Sequence, residues 1–129
     1  TDNQNISFSD FPNKLDECDF LIFTCSLNNK NKHMLNSTTL PLLKKGAFVI
    51  NVARGPLIDE AALIESLEME DVAAAALDVF DVEPLPIQSK LLQFERCILG
   101  SHNASNTIEA ANRASLLAID KIGTFLNGI

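Results

Sequence analysis

Four side chains in this 129-residue sequence could together hold a small anion and move a proton: Arg54, Asp78, Glu83 and His102. They fall in three polar strings, NVARG (51–55), DVFDVEP (78–84) and SHNASNT (101–107), each directly after an apolar run. An arginine can fork two hydrogen bonds onto a carboxylate, which a lysine cannot do. A histidine paired with a glutamate has its charged form favoured and its ring held in one orientation, the requirement for an acid that must also act as a base. Taken singly, each residue has an ordinary reading. Arg54 reads as a surface or helix-capping arginine, Glu83 as a solvated carboxylate, Asp78 as a turn cap after a strand, and His102 as a loop histidine that satisfies a backbone group. His33, in KNKHMLN, keeps that last reading. The three strings become a candidate site only because they recur in order at what should be one edge of a sheet.

That edge follows from the elements between them. CDFLIFTC (18–25), GAFVINV (46–52), DVAAAALDVF (71–80) and RCILG (96–100) are short apolar runs that predict buried strands. Their near-continuous apolarity predicts a parallel sheet covered on both faces, and so an α/β fold. STTLPLLKKG (37–46) predicts a short helix with Pro41 in its first turn and Gly46 just past its end. DEAALIESLEME (59–70) predicts a helix with Leu63, Ile64 and Leu67 on one stripe and acidic residues at its N-terminus. From Asn106 to about Asn127, Ile108, Ala111, Ala118, Ile122 and Leu126 predict a long helix, with Asn106 and Glu109 spaced like a capping box. Its apolar face is expected to pack on a surface outside this stretch. Pro12, Pro84 and Pro86 punctuate loops, and DVEPLPIQSK (81–90) is the longest irregular segment.

Composition narrows the partners. Ten basic against 17 acidic residues leave a net charge of −7, which repels nucleic acid. No apolar run reaches the roughly 18 residues of a membrane span, and TDNQN has no signal-peptide character, so no membrane partner and a cytoplasmic location are expected. Cys18, Cys25 and Cys97 lack a CxxC pairing and predict reduced core thiols, with neither a disulfide nor a metal site.

LLKKGAFVINVARGPLIDEAALIESL, AAAALDVFDVEPLP and ILGSHNAS, taken together from about Cys18 to Ala114, resemble the D-isomer-specific 2-hydroxyacid dehydrogenase family. The resemblance implies the C-terminal half of a Rossmann-like nucleotide-binding domain, a parallel sheet with flanking helices. Residues 1–104 would be a partial NAD-binding domain, and 105–129 a long helix returning towards a substrate domain outside this stretch. It implies an NAD-dependent oxidoreductase that moves a hydride between the nicotinamide and a small D-2-hydroxy acid or its 2-keto partner, with a 3-phosphoglycerate-like substrate favoured. Arg54 would grip the substrate carboxylate, His102 would serve as acid and base at the C2 oxygen, and Glu83 would hold His102. Asp78 would bind the nicotinamide carboxamide, while Val52, Ala53, Ala104 and Ser26 would line the cofactor. The family further implies a homodimer or homotetramer for the full-length protein, and negligible activity for this stretch alone. The alternative is a non-catalytic dinucleotide-sensing module, like the corepressors of the same family.

Three departures stand out. Ser26 and Asn31 replace a proline and a threonine usual in the family, near the expected adenosine and phosphate side. The glycines at 46, 55, 100, 123 and 128 cannot form GxGxxG. Asp2, the candidate for reading ribose hydroxyls, stands closer to the first strand than the family's acidic residue does.

Overall fold

The computed structural model describes residues 6–128, so Asp2 lies outside the described residues. Four parallel strands form one sheet in the order β1-β2-β3-β4: β1 Phe20–Phe23, β2 Ala47–Asn51, β3 Val72–Leu77 and β4 Ile98–Leu99. All four expected strands are present, each trimmed at its ends. Phe23 pairs with Asn51, Asn51 with Leu77, and Leu77 with Leu99, so the strands end in one row. The three polar strings therefore open on the same edge.

Between β2 and β3 runs the helix α1, Glu60–Glu68. Asp59 caps it, its carboxylate accepting the Ala62 N–H at 3.2 Å. An oxygen in that position satisfies a donor that the first helical turn leaves without a partner. Leu63 and Leu67 are buried against Val49, Val72 and Ala75 of the sheet, and Ile64 packs at the margin. Full burial of a leucine contributes about 1.5–3 kcal/mol, so this stripe anchors the helix far more than its propensity does. Leu35, Leu40, Leu57 and Leu91 complete the same core from the connecting loops.

The other face of the sheet differs from expectation. Phe20, Ile22, Phe48 and Ile98 are exposed there, with Phe20 stacked on Phe48 at 5.1 Å between ring centroids. Apolarity on both faces was read correctly as strand character, yet among the described residues only one face is covered, because α1 and the core loops all pack on one side.

Residues 37–46 form a single 3₁₀ turn, Leu40–Leu42, rather than a helix. Side chains there compete for the backbone: Asn36 Oδ1 accepts the Thr38 N–H at 2.8 Å, and Thr39 Oγ1 accepts the Asn36 N–H at 2.9 Å. Pro41 removes a further donor. The long helix α2 spans Ile108–Leu126, and its cap is Thr107, whose Oγ1 accepts the Ala110 N–H at 3.1 Å. Asn106 is displaced from that role because its own N–H closes a turn onto the Asn103 carbonyl. No residue of α2 is buried, and Ile108, Leu116, Ile119, Ile122 and Phe125 are each more than half exposed. The cysteines are free, but none is in the core: Cys18 and Cys97 are half-buried and Cys25 is exposed. No helix among the described residues is long and apolar enough to cross a membrane.

Candidate active site

The β2 exit is built by a buried asparagine. Asn51 Oδ1 accepts the Ala53 N–H at 3.0 Å, its Nδ2 donates to the Arg54 carbonyl at 2.9 Å, and its own carbonyl receives the Asp78 N–H at 3.0 Å. One side chain thus shapes the turn and ties it to β3. Gly55 follows, in a 3₁₀ turn (Gly55–Leu57) that lies so close to Phe80 that any Cβ would strike the Phe80 carbonyl. These constraints present Arg54 outward, exposed, with Nη1 donating to the Ala53 carbonyl at 2.6 Å.

The β3 and β4 exits meet in an acid–base pair. Glu83 Oε2 lies 2.7 Å from His102 Nδ1, while Glu83 Oε1 accepts the Phe80 N–H at 2.9 Å. The hydrogen bond from His102, with that from Phe80, outweighs desolvation and holds the Glu83 carboxyl below its ordinary range; the charges of His102 and Arg54 add to this. An ionised Glu83 only accepts, so Nδ1 carries the hydrogen and Nε2 is left to exchange a proton outward. His102 adopts a left-handed backbone conformation, φ 58°, its N–H donating to the Asp78 carbonyl at 2.7 Å. A non-glycine residue persists there only where its surroundings impose it.

Asp78 imposes it. Its carboxylate accepts the Asn103 N–H at 2.9 Å and the Ala104 N–H at 2.8 Å. Desolvation pushes the Asp78 carboxyl up, but these two donors and the nearby His102 prevail and leave it below the ordinary value. Gly100 is needed beside it, since a Cβ there would strike Asp78 Oδ1. Ala104 takes part through its backbone N–H, directed at Asp78.

Two clefts open on this edge. One, of 430 Å³, is lined by Phe80, Pro84 and Leu85 with Gly100, Ser101 and the Glu83–His102 pair. The other, of 640 Å³, lies between the β1 and β2 exits and gathers Ser26, Val52, Ala53 and Arg54 with Thr24 and Leu27. Its small side chains leave room for a flat group beside the half-exposed Val52, which fits part of a dinucleotide. Asn31 shapes this wall: its Nδ2 donates to the Ser26 carbonyl at 2.8 Å and its Oδ1 accepts the Asn28 N–H at 2.7 Å.

Every candidate residue thus stands at the carboxyl edge of the sheet: Arg54, Ser26, Val52 and Ala53 around one cleft, Glu83 and His102 around the other, and Asp78 bonded to the loop that carries Ala104. Sequence reasoning missed Asn51, Gly55, Gly100 and Asn31 as supporting residues. A polar residue at the end of an apolar run was the signal for Asn51; the glycines gave none until the facing backbone was known. The Glu83 side chain is 35% exposed.

An open parallel sheet with ligand-sized clefts and a carboxylate–histidine pair at its carboxyl edge is the build of a nucleotide-binding domain. Residues 1–104 match the family described as D-isomer specific 2-hydroxyacid dehydrogenase, NAD binding domain, and the chain belongs to that family. It is 39% identical over 124 residues to a glyoxylate reductase from Thermofilum pendens, covering 96% of this chain and 37% of that protein. It is likewise 39% identical to a glyoxylate/hydroxypyruvate reductase B from Serratia proteamaculans over 92% of this chain and 37% of the relative. Among solved structures, D-lactate dehydrogenase with NAD+ from Lactobacillus jensenii superposes with a TM-score of 0.81 at 27% identity, covering 98% of this chain and 42% of that one. The chain thus spans 37% of the length of these two curated relatives.

Proposed function

We propose that the protein carrying this stretch is an NAD-dependent oxidoreductase that interconverts a small 2-keto acid and the D-2-hydroxy acid. The observation that carries this reading is the 2.7 Å Glu83–His102 pair, set on the same sheet edge as an exposed arginine. The nicotinamide, when bound, supplies or accepts the hydride at C2. Arg54 binds the substrate carboxylate with guanidinium N–H groups beyond the one donated to Ala53. His102 Nε2 gives its proton to the C2 oxygen during reduction and takes it back during oxidation, while Glu83 orients the ring and balances its charge. Val52 and Ala53 would line the cofactor, with Ser26 towards its adenosine and phosphate side. Asp78 would hold the loop of His102 and Ala104, and its remaining lone pairs could accept the carboxamide N–H. Residues 105–129 would carry α2 to the substrate domain, a reading supported by the helix's unburied apolar side chains.

The relatives' names specify glyoxylate and hydroxypyruvate, neither of which carries a phosphate. We therefore favour an unphosphorylated two- or three-carbon keto acid over the 3-phosphoglycerate-like substrate expected from sequence. The test is Arg54→Ala in the full-length protein. Loss of two charge-assisted hydrogen bonds should cut kcat/KM for glyoxylate on the order of 10²–10³-fold while NADH affinity holds. Unchanged turnover would reject the assignment.

A further inference from the structure

The segment Asp81-Val82-Glu83 carries two carboxylates, and each faces one of the chain's two histidines. Glu83 faces His102; Asp81 Oδ2 lies 3.9 Å from His33 Nε2, a contact in which both side chains are little more than one-third exposed. His33 shares the backbone peculiarity of His102, with φ 49°. Its N–H donates to the Pro56 carbonyl at 2.7 Å, and its carbonyl accepts from Asn36 Nδ2 at 2.7 Å. A left-handed residue clamped on both sides is held at a conformational cost, and the result is a ring aimed at Asp81. On its other flank Asp81 meets Glu60, the first residue of α1. Burial raises the Glu60 carboxyl; the Asp81 N–H partly counters this, and the Asp81 charge adds to the rise. Asp81 thus stands between a repelling carboxylate and an imidazole.

We propose that His33 is a positioning residue for the acid–base pair: by holding Asp81, it sets the turn from which Glu83 reaches His102. His33 belongs to the connection following β1, whose start walls the 640 Å³ cleft, so the contact also joins the loop of one cleft to the turn of the other. The inference rests on reading Glu83 and His102 as the acid–base pair, but its test does not depend on turnover.

The experiment follows the imidazole NMR signals of His102 through a pH titration in the wild-type chain and in His33→Gln, Asp81→Asn and the double variant, with circular dichroism to establish the fold. The other charged groups about the pair are Glu83 and Asp78 beside His102, and Arg54 beside Glu83. All remain in every variant. Loss of any positive charge at position 33 would act directly only to favour protonation of His102, whereas loosening Glu83 acts oppositely, so the two effects differ in sign. The expected result is a His102 midpoint lower by about half a pH unit in His33→Gln. That decrease should vanish when His33→Gln is made in the Asp81→Asn background. A midpoint that is unchanged or raised in a folded His33→Gln chain would overturn the proposal, as would an equal decrease in both backgrounds. Should His33→Gln not fold, Asp81→Asn decides through the amide signal of Phe80: loss of its bond to Glu83 supports the role, and an unmoved signal rejects it.

Discussion

At the scale of the residue, the central arrangement is one carboxylate with two duties. Glu83 holds the imidazole with one oxygen and its own turn with the other, so it cannot shift without releasing His102. Glu83→Gln in the full-length protein should therefore move the pH–rate profile for keto-acid reduction to lower pH, because protonated His102 loses the carboxylate that favours it. A profile that stays in place would remove Glu83 from its role. His102→Gln should abolish turnover with only a small fall in melting temperature from loss of the Glu83 contact, since the side chain is exposed and contributes little packing. Arg54, Glu83 and His102 were legible in the sequence because three polar strings follow apolar runs in order and resemble the family's motifs, although each residue alone has an ordinary reading. Asn31 was not legible: its bond to the Ser26 carbonyl depends on how the loop folds back, which no spacing reveals.

At the scale of the element, the site is held by caps and close approaches rather than by long helices. Asp59→Ala removes the cap of α1 and should lower stability by about 1 kcal/mol, read as a fall of about 3–6 °C in the melting temperature. Gly55→Ala should cost more, about 1–3 kcal/mol, because the new methyl must displace the backbone at Phe80, and it should also disturb the Glu83 turn. A denaturant titration that finds Gly55→Ala as stable as wild type would show that this approach is not tight. The strands and α1 could be read from periodicity because local pattern and tertiary packing agree there. The expected helix over 37–46 failed because side-chain-to-backbone bonds at Asn36 and Thr39 won over helix formation, and the cap of α2 moved from Asn106 to Thr107 for a related reason.

At the scale of the whole molecule, charge and surface set the behaviour. Asp78 and Glu83 both have folded-state values below their ordinary 3.8 and 4.5. Their stabilising contribution is therefore complete above those ordinary values and is lost as the pH falls through the lowered ones. Wild type and Glu83→Gln should differ in stability at neutral pH and converge near about pH 2, measured by urea unfolding at a series of pH values. A gap that persists at low pH would mean that the glutamine acts through something other than charge. The uncovered sheet face and the unburied stripe of α2 are the other molecular-scale features. Ile98→Ser on that face should change the stability of this chain by only about 0.5 kcal/mol, against about 2–5 kcal/mol for Leu67→Ala on the covered face.

The sequence by itself determined the fold class, the four strands, the anchoring helix and the short strings that carry Arg54, Asp78, Glu83 and His102, because these depend on local polarity and spacing. The resemblance implied that Glu83 holds His102, but tertiary structure decided the geometry of that pair and which other groups meet. The 2.7 Å contact between Glu83 and His102, the occupation of Asp78 by the Asn103 and Ala104 amides, and the facing of His33 to Asp81 all join residues far apart in the chain or on separate loops. Such meetings follow from the level ends of parallel strands and the close packing of Gly55 on Phe80, and distance in space is a property that a linear pattern does not carry.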